Sequence, residues 1–444
     1  MSRTRTCRSI PYSIELETHG ALSIQRELCS IVDMTEARSP SIATDWEQIT
    51  AQLPADWREL AGKMGLVQER PEHIGAKVDD IEPILRLVLY LAGTSDSLRA
   101  TVARAAALGL LTISHVALHK WMKKLGRYLV ALLSRMVETA SFAPEKWCGF
   151  DLIAGDATTV QRPGSKGTTA RVHYALRLSD LTPRHIEVTD EHGGETARRF
   201  RAEPGELWLL DRAYSNPVGV ASIRDRGAHV IVRVNRATLP LHDRRGKRID
   251  IMMRLRRTSA RERVQQCRAF VHVGERKIPG RLCWVRLPAK KAAQARERAR
   301  REAERTCDKD TLFAAEFVFV FTTILHELTA ARVLIAYRAR WQVELDFKRS
   351  KSIRELDRLP NFLPQTIHSW ICAKLLLQLV AVRIASPIAA IPPSAVGITL
   401  LPPPTRCPAP SQARSARRSR HPAVVCRPAR VERSLRGSIT SATR

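Results

Sequence analysis

The spacing of hydrophobic residues along the chain changes near position 146. Before that point, apolar residues recur every three or four positions, which is typical of amphipathic helices. The clearest run is Ile81, Ile84, Leu85, Val88, Leu89 and Leu91. From Trp147 onward, short alternating or fully apolar runs predominate, as in strands. The pattern predicts a helical N-terminal domain over residues 1–145, followed by an α/β domain.

Two predicted helices in the N-terminal region are separated by a short break. Ser97 and Ser114 are in positions to cap them, and Gly109 fits the break between them. The second helix ends near Leu125 and presents a basic face. The helix carries His119, Lys120, Lys123 and Lys124, and Arg127 follows just beyond it. Two short helices, a glycine turn and a basic face indicate a DNA-binding helix-turn-helix. An ordinary helical hairpin with a solvated basic face is the alternative.

The second region predicts strands and helices in an informative order. In chain order, these are strands over 150–160, 172–178 and 184–190, a short helix over 195–202, a strand over 207–211, a helix over 217–226 and a strand over 230–234. An antiparallel meander that leads into parallel strands is the order of an RNase H-like core.

Residues 236–320 interrupt this order. The interruption contains strand-like runs around 249–255, 269–273 and 282–287, and a highly charged helix over 289–305. A strand at 317–321 and a long helix from about Leu328 follow. The predicted fold class is therefore α/β. An RNase H-like catalytic domain is formed by residues 146–235 and 321–385, with a β-rich insertion subdomain over 236–320.

The last part of the chain differs in composition. Glu432 is the only acidic residue between Arg358 and Arg444, and ten of the 25 prolines lie from Pro387 onward. Such a composition predicts a disordered tail over 386–444. The abrupt change within an apolar helix favours a frameshifted or degenerate end over a genuine basic tail. The apolar run Leu375–Val382 is too short to span a bilayer and predicts a buried helix.

The overall charge points to a polyanionic partner. The net charge is +29 with a sequence pI near 10.6, and basic side chains near phosphates release condensed counterions. The nine cysteines include no CxxC pair, so neither a zinc site nor a disulfide framework is indicated. No apolar signal core follows the first arginines. We therefore expect a cytoplasmic, nucleoid-associated protein that binds DNA and no membrane.

Two aspartates follow predicted strands that would be neighbours in such a sheet. Asp156 lies near the end of the first strand, and Asp211 ends the fourth. Two adjacent carboxylates repel each other, and a divalent cation such as Mg²⁺ or Mn²⁺ removes that repulsion. Taken alone, either aspartate could instead cap a loop.

A third group of residues makes the catalytic interpretation specific. Tyr337, Arg340, Glu344 and Lys351 are spaced to share one face of a single helix. In this interpretation the acid binds a metal ion, and the cations that flank it contact phosphate oxygens. The alternative is a surface ion-pair ladder, since Arg340 and Glu344 are four residues apart.

These residues resemble the YREK signature of the insertion-sequence type Four family of DDE transposases. The stretches Gly155-Asp156-Ala157-Thr158 and Leu210-Asp211-Arg212-Ala213-Tyr214 match the other two blocks of that family. A β-rich insertion before the glutamate is also typical of it. The resemblance covers about residues 85–385.

The resemblance implies cut-and-paste DNA transposition. Asp156, Asp211 and Glu344 would hold two Mg²⁺ or Mn²⁺ ions that activate water for phosphodiester hydrolysis, and the freed 3′-hydroxyl would then carry out strand transfer. Tyr337, Arg340 and Lys351 would bind phosphates. Trp341 is either a platform for an extruded base or a core tryptophan.

The implied partners are double-stranded DNA, both at terminal inverted repeats and at the target, and a second copy of the chain in a synaptic homodimer. The helix after Gln365 departs from the family near Ala385, which leaves two alternatives open. One is an RNase H-like nuclease that cleaves without strand transfer. The other is a defective transposase that binds element ends through residues 95–130.

Overall fold

The computed structural model describes residues 46–67, 80–138 and 146–389, apart from positions 95, 163, 165–166, 259–260, 262, 304–306, 358 and 360–363. Expectations for residues 1–45, and for the tail from 390 onward, lie outside the described residues. The last described helix continues to Ala389, four residues beyond the predicted boundary at 385.

Five helices precede the sheet among the described residues. They are α1 (Trp46–Thr50), α2 (Trp57–Lys63), α3 (Glu82–Gly93), α4 (Leu98–Ala107) and α5 (His115–Glu138). The predicted caps are confirmed: Ser97 Oγ accepts from the Ala100 N–H at 3.2 Å, and Ser114 Oγ accepts from the Ala117 N–H at 3.1 Å. Gly109 ends α4 with a φ of +66°, a conformation that glycine adopts without strain.

The prediction of a short second helix was wrong. α5 has 24 residues and continues 13 positions beyond Leu125, because apolar side chains recur at helical spacing as far as Met136. These side chains pack against a partner from the far end of the sequence, α12 (Pro364–Ala389). The Ser369 hydroxyl donates to the Met122 carbonyl across this interface, and Arg383 Nη1 donates to the Gln52 carbonyl at 2.7 Å.

One mixed sheet of eight strands forms the centre of the molecule. The strands are β1 (Asp151–Val160), β2 (Ala170–Arg177), β3 (Pro183–Asp190), β4 (Glu206–Leu210), β5 (His229–Arg233), β6 (Gln265–Val273), β7 (Arg276–Arg286) and β8 (Phe317–Thr322). Their order across the sheet is β3-β2-β1-β4-β5-β8-β7-β6. The first three strands form the predicted antiparallel meander, and β1, β4 and β5 run parallel.

Two predicted elements in this part are corrected. The run around 249–255 is a helix, α7 (Ile251–Arg256), because Asp250 caps it by accepting from the Met253 N–H at 2.9 Å. A four-to-eight-residue apolar run does not distinguish a strand from a buried helix. The predicted helix over 195–202 is a single 3₁₀ turn at Ala197–Arg199.

The strands of the predicted insertion extend the central sheet. β6 and β7 form an antiparallel hairpin, and β7 pairs with β8, which in turn pairs with β5. The charged helix is α8 (Ala289–Glu302), and α9 (Lys309–Ala314) leads back into β8.

Helices cover both faces of the sheet. One face packs against α6 (Pro217–Asp225), α7 and α9. The other packs against α8, α10 (Ala330–Ala339) and α11 (Trp341–Arg354). The molecule therefore has a mixed α/β architecture, and α10 and α11 lie over the strands that carry the predicted acids.

The stretch Thr366–Ile384 within α12 is long and apolar enough to cross a membrane by length and composition. Most of it is buried against α5 and α3 in the helical core, as the sequence predicted for Leu375–Val382. Core helices of soluble proteins have the same properties.

Candidate active site

Three polar side chains follow one another across three adjacent parallel strands. Gly155 lies opposite Leu210 in the β1–β4 pairing, and Leu210 lies opposite Val232 in the β4–β5 pairing. The next residue on each strand is charged; these residues are Asp156, Asp211 and Arg233. Asp156 and Asp211 are therefore at neighbouring positions on adjacent strands, as the sequence predicted.

The position of Asp156 within its strand differs from the prediction. β1 continues to Val160, so Asp156 lies in the middle of the strand. It nevertheless marks the point where pairing with β4 ends and only the pairing with β2 continues. Beyond Gly155 and Leu210, β1 therefore has no paired neighbour on the β4 side of the sheet.

All three side chains point to the same face of the sheet. Side chains alternate along a strand, and Asp156, Asp211 and Arg233 are in phase with Ala154, Leu209 and Ile231, which belong to the core under α10 and α11. The helices that carry the predicted Tyr337, Arg340, Glu344 and Lys351 therefore cover the aspartates directly.

The expectation of a single helix through these four residues was wrong. α10 ends at Ala339 and α11 begins at Trp341. The Arg340 N–H donates to the Tyr337 carbonyl at 3.2 Å, and the Val343 N–H donates to the Arg340 carbonyl at 3.1 Å. Each of these hydrogen bonds joins an N–H to the carbonyl three residues earlier, which is the pattern of a 3₁₀ turn.

Arg340 connects two of the three acids. Its side chain is 1% exposed. Nη1 donates to Asp156 Oδ2 at 3.1 Å, and Nη2 donates to Glu344 Oε1. Burial acts to lower the pKa of Arg340, but Tyr337 and the carboxylates of Asp156 and Glu344 outweigh it and raise this pKa. The guanidinium is thus a buried counter-ion that brings Asp156 and Glu344 together.

Asp156 has an unusual affinity for protons. Burial raises the pKa of Asp156 to about 7, and the negative charges of Asp211 and Glu344 add to the effect. Arg340 and the Ala157 N–H, which donates to Oδ1 at 2.9 Å, oppose it. Side chains with strongly shifted pKa values are concentrated at functional sites.

Arg233 is a site residue that the sequence analysis missed. It is 1% exposed, and burial lowers its pKa to about 10. The side chain of Tyr337 is also 1% exposed. Burial raises the pKa of Tyr337, and the charges of Arg340 and Arg233 oppose this rise. A cation at the end of an otherwise apolar strand, Val-Ile-Val-Arg, was the available signal.

The remaining predicted residues of this group lie at its edge. Lys351 Nζ donates to the Thr159 carbonyl at 3.4 Å, farther along β1 than Asp156. Trp341 is half-buried at the first position of α11, so its role in base stacking stays a prediction.

The basic residues of the N-terminal region form a separate surface. Lys120, Lys123, Lys124 and Arg127 lie along α5 away from the acids, and the three lysines are exposed. Lys123 and Arg127 line a groove of about 710 Å³ between α5 and the end of β3. Asp190 and Glu191 also line this groove, so its charge is mixed.

The three carboxylates have the donor chemistry of a site for a hard divalent cation. Among the residues that the structure describes, no three acidic, histidine or cysteine side chains are close enough together to hold a metal ion. The Arg340 guanidinium lies where such a cation would compensate the charges of Asp156 and Glu344. The donor set fits, and a cation would take over the role of this guanidinium.

Comparisons with known proteins agree with this picture. Residues 147–377 match the family described as "Transposase DDE domain". The chain is 29% identical over 365 residues to the "Transposase for insertion sequence element IS421" of Escherichia coli, covering 80% of this chain and 97% of that protein. It is also 29% identical over 364 residues to the "Putative transposase InsL for insertion sequence element IS186A" of Escherichia coli (strain K12), with the same coverage.

Proposed function

The chain belongs to the family of transposases with a DDE domain, and from that premise we propose that Asp156, Asp211 and Glu344 are its catalytic acids. The observation that carries the proposal is the bridge formed by Arg340, which connects an acid on the central sheet with an acid on α11. A surface ion-pair ladder would not bury a guanidinium that reaches an acid 184 residues away in the chain.

The acids are proposed to hold two Mg²⁺ or Mn²⁺ ions. Bound divalent cations would supply an activated water and neutralise the leaving oxygen of a phosphodiester. Asp156 and Asp211 would be held where the pairing of β1 with β4 ends, and Glu344 by the first turn of α11. In the metal-free protein, Asp156 and Glu344 share the buried Arg340 guanidinium, and the divalent ions would take over this compensation of their charges.

Arg340, Lys351 and Tyr337 are proposed to bind phosphate. Arg340, released from Asp156 and Glu344, would be free to contact a DNA phosphate oxygen through its planar fork. Lys351 lies next to β1 and Tyr337 is buried beside Arg340. These contacts would orient the scissile phosphate towards Asp156 and Asp211.

The proposed substrate is double-stranded DNA at the ends of an insertion sequence, together with target DNA, in a cut-and-paste reaction within the bacterial cytoplasm. The basic face of α5 is proposed to follow the DNA backbone, and Trp341 to stack on an extruded base. A homodimer would bring two element ends together.

The architecture supports an RNase H-like core. The antiparallel strands β1 to β3 and the parallel strands β1, β4 and β5 have the order expected for that fold. We propose the division into a helical domain (1–145), a catalytic domain (146–235 and 321–385), an insertion (236–320) and a tail (386–444). α12 belongs to the catalytic stretch of the sequence but packs within the hydrophobic core of the N-terminal helices. The proposed sequence boundaries therefore do not coincide with the boundaries of the hydrophobic cores.

The test is DNA cleavage by full-length protein with Mg²⁺ and DNA that carries the element ends. Glu344→Gln is expected to abolish cleavage and retain DNA binding. Glu297→Gln, which alters a glutamate on the surface of α8, is the matched control and should cleave normally. Undiminished cleavage by Glu344→Gln would overturn the assignment of the acids.

The same experiment separates the two alternative activities. Joined products establish strand transfer, whereas nicks without joined products identify a nuclease. Binding without any cleavage by the unaltered chain identifies a defective transposase.

A further inference from the structure

α11 carries Glu344 and Lys351, and it lies between the central sheet and α12. On the sheet side, Phe347 is buried, and its ring lies 5.5 Å, centroid to centroid, from the ring of Tyr174. Tyr174 is the residue that pairs with Asp156 in the β1–β2 register. This apolar contact holds the helix on the sheet, but it is non-directional and leaves the position of α11 along its own axis to other contacts.

The side of α11 that faces α12 makes buried polar contacts. The Ser350 hydroxyl donates to Gln378 Oε1 at 2.9 Å, and Gln378 Nε2 donates to Asp346 Oδ2 at 3.4 Å. Ser350 is 2% exposed and Gln378 is 4% exposed. Because Asp346 and Ser350 are four residues apart, a single amide of α12 joins two consecutive turns of α11 through directional hydrogen bonds.

A further polar contact holds the end of α11. Glu355 follows the helix with a φ of +49°, in the left-handed region that residues other than glycine rarely adopt. Lys374, which is buried on α12, donates from Nζ to the Glu355 carbonyl at 3.2 Å. Lys374 and Gln378 are four residues apart and therefore share one face of α12. This face holds α11 at Asp346, Ser350 and Glu355.

The polar side chains on this face of α12 stand out because most of their buried neighbours along the helix are apolar. These neighbours are Ile371, Cys372, Ala373, Leu375, Leu376 and Leu379. Replacement of both partners of a buried polar pair by apolar side chains is often neutral or stabilising, so maximal stability does not explain the pair. The best-attested role of such a pair is to select one register between two packed elements.

We propose that Gln378 is a positioning residue for the acid site: it fixes the register of α11 against α12 and thereby keeps Glu344 in place beside Arg340 and Asp156. Glu344 lies in the first turn of α11, and the residues that Gln378 binds lie in the turns that follow. An axial shift or a rotation of α11 would displace Glu344, and the ligands of a site must be held within about 0.5 Å of their productive geometry. The inference rests on the proposed function, because it presumes that Glu344 is a metal ligand.

The test is Mn²⁺ binding by the full-length protein without DNA, titrated by electron paramagnetic resonance, together with urea unfolding in chelator. A double variant, Ser350→Ala with Gln378→Met, replaces the buried polar pair by apolar side chains. Its metal-free stability is expected to equal or exceed that of the unaltered protein, because both partners are removed together and Asp346 is only half-buried. Mn²⁺ binding is expected to weaken about three- to tenfold, less than when a group bonded directly to a metal ligand is removed.

Ser369→Ala is the matched control on the same helix. Ser369 lies nine positions before Gln378, about two and a half turns, and is therefore on the opposite face of α12. Its buried hydroxyl donates to the Met122 carbonyl of α5 and not to α11. Its removal should lower metal-free stability slightly and leave Mn²⁺ affinity unaltered. The double variant is expected to show the reverse, a loss of affinity without a loss of stability, which a merely structural role does not produce.

Glu344→Gln separates failure of this inference from failure of the proposed function. If Glu344→Gln binds Mn²⁺ as tightly as the unaltered protein does, Glu344 is not a metal ligand and the proposed site is wrong. If Glu344→Gln weakens Mn²⁺ binding while the double variant keeps full affinity, only the role of Gln378 is overturned. A double variant that loses stability together with affinity also overturns this role, since loosened packing would then account for both losses.

Discussion

The proposed active site and the basic face of α5 both contain several charged residues, but the two regions differ in how far these charges are buried. In the proposed active site, Arg340 and Arg233 are almost completely inaccessible to solvent, and Asp156 is largely buried. On α5, Lys120, Lys123 and Lys124 are exposed to solvent. A buried charge is stable only with a specific partner, whereas an exposed one needs none. The comparison therefore distinguishes a built site from a surface whose charge attracts DNA without defining chemistry.

The largest expected difference between the two regions is in catalysis. Asp211→Asn is expected to reduce DNA cleavage by at least about a thousandfold, because it removes a carboxylate from the proposed metal site. Asp225→Asn, at a half-exposed aspartate paired with Arg276, is the control and should cleave normally. Comparable reductions in both variants would mean that Asp211 has no special role.

The next largest effect is on metal-free stability. Arg340→Ala leaves Asp156 and Glu344 without their shared cation and is expected to destabilise the protein by about 3 kcal/mol, measured by urea unfolding in chelator. Arg349→Ala, at an exposed arginine of α11, should change stability by less than about 0.5 kcal/mol.

Arg340→Ala also allows a comparison of metal binding. Added Mn²⁺ should stabilise Arg340→Ala more than the unaltered protein, because no guanidinium competes for the carboxylates. Equal stabilisation of the two proteins would show that Arg340 and the metal do not share a site.

The raised pKa of Asp156 predicts a pH dependence of the metal-free protein. The unfolded chain releases this proton near pH 4 and the folded chain near pH 7. Between these values the folded state binds more protons, so stability falls as the pH rises from about 4 to about 7. Asp156→Asn removes this contribution. Urea unfolding at pH 5 and pH 8 should therefore show a decrease in the unaltered protein that is smaller in the variant, and parallel decreases would refute the shifted pKa.

The smallest effect is expected on the exposed surface. Replacement of Lys123 and Lys124 by alanine should weaken DNA binding only several-fold. It should also reduce the dependence of log affinity on log salt by about 0.9 for each phosphate that the variant no longer neutralises. Lys63→Ala, at an exposed lysine of α2 that pairs with Glu59, serves as the control. An unchanged salt dependence in the double variant would remove α5 from the DNA-binding surface.

The backbone of the acid site was largely predictable from sequence. Strand order placed Asp156 and Asp211 side by side, and the hydrogen-bond register confirms that they occupy matching positions after Gly155 and Leu210. Local signals also predicted the caps Ser97 and Ser114, because a side-chain oxygen three residues before a free N–H acts within one turn.

Tertiary contacts determined what the sequence did not predict. The direction of the Arg340 side chain depends on Asp156, which lies 184 positions away, and the break between α10 and α11 accompanies that contact. Ile251–Arg256 was mispredicted for a local reason instead: a short apolar run fits a strand or a helix equally well, and the capping signal at Asp250 was not used. The length of α5 follows from its packing against α12, which lies about 250 residues later in the chain, as in the bond between Ser369 and Met122.

Anomalous X-ray diffraction from crystals of the full-length protein soaked with Mn²⁺ tests the central claim most directly. The account predicts manganese peaks between Asp156, Asp211 and Glu344, with the Arg340 guanidinium moved away from Asp156 and Glu344. Manganese bound elsewhere, with Arg340 still bridging the two acids, would contradict it.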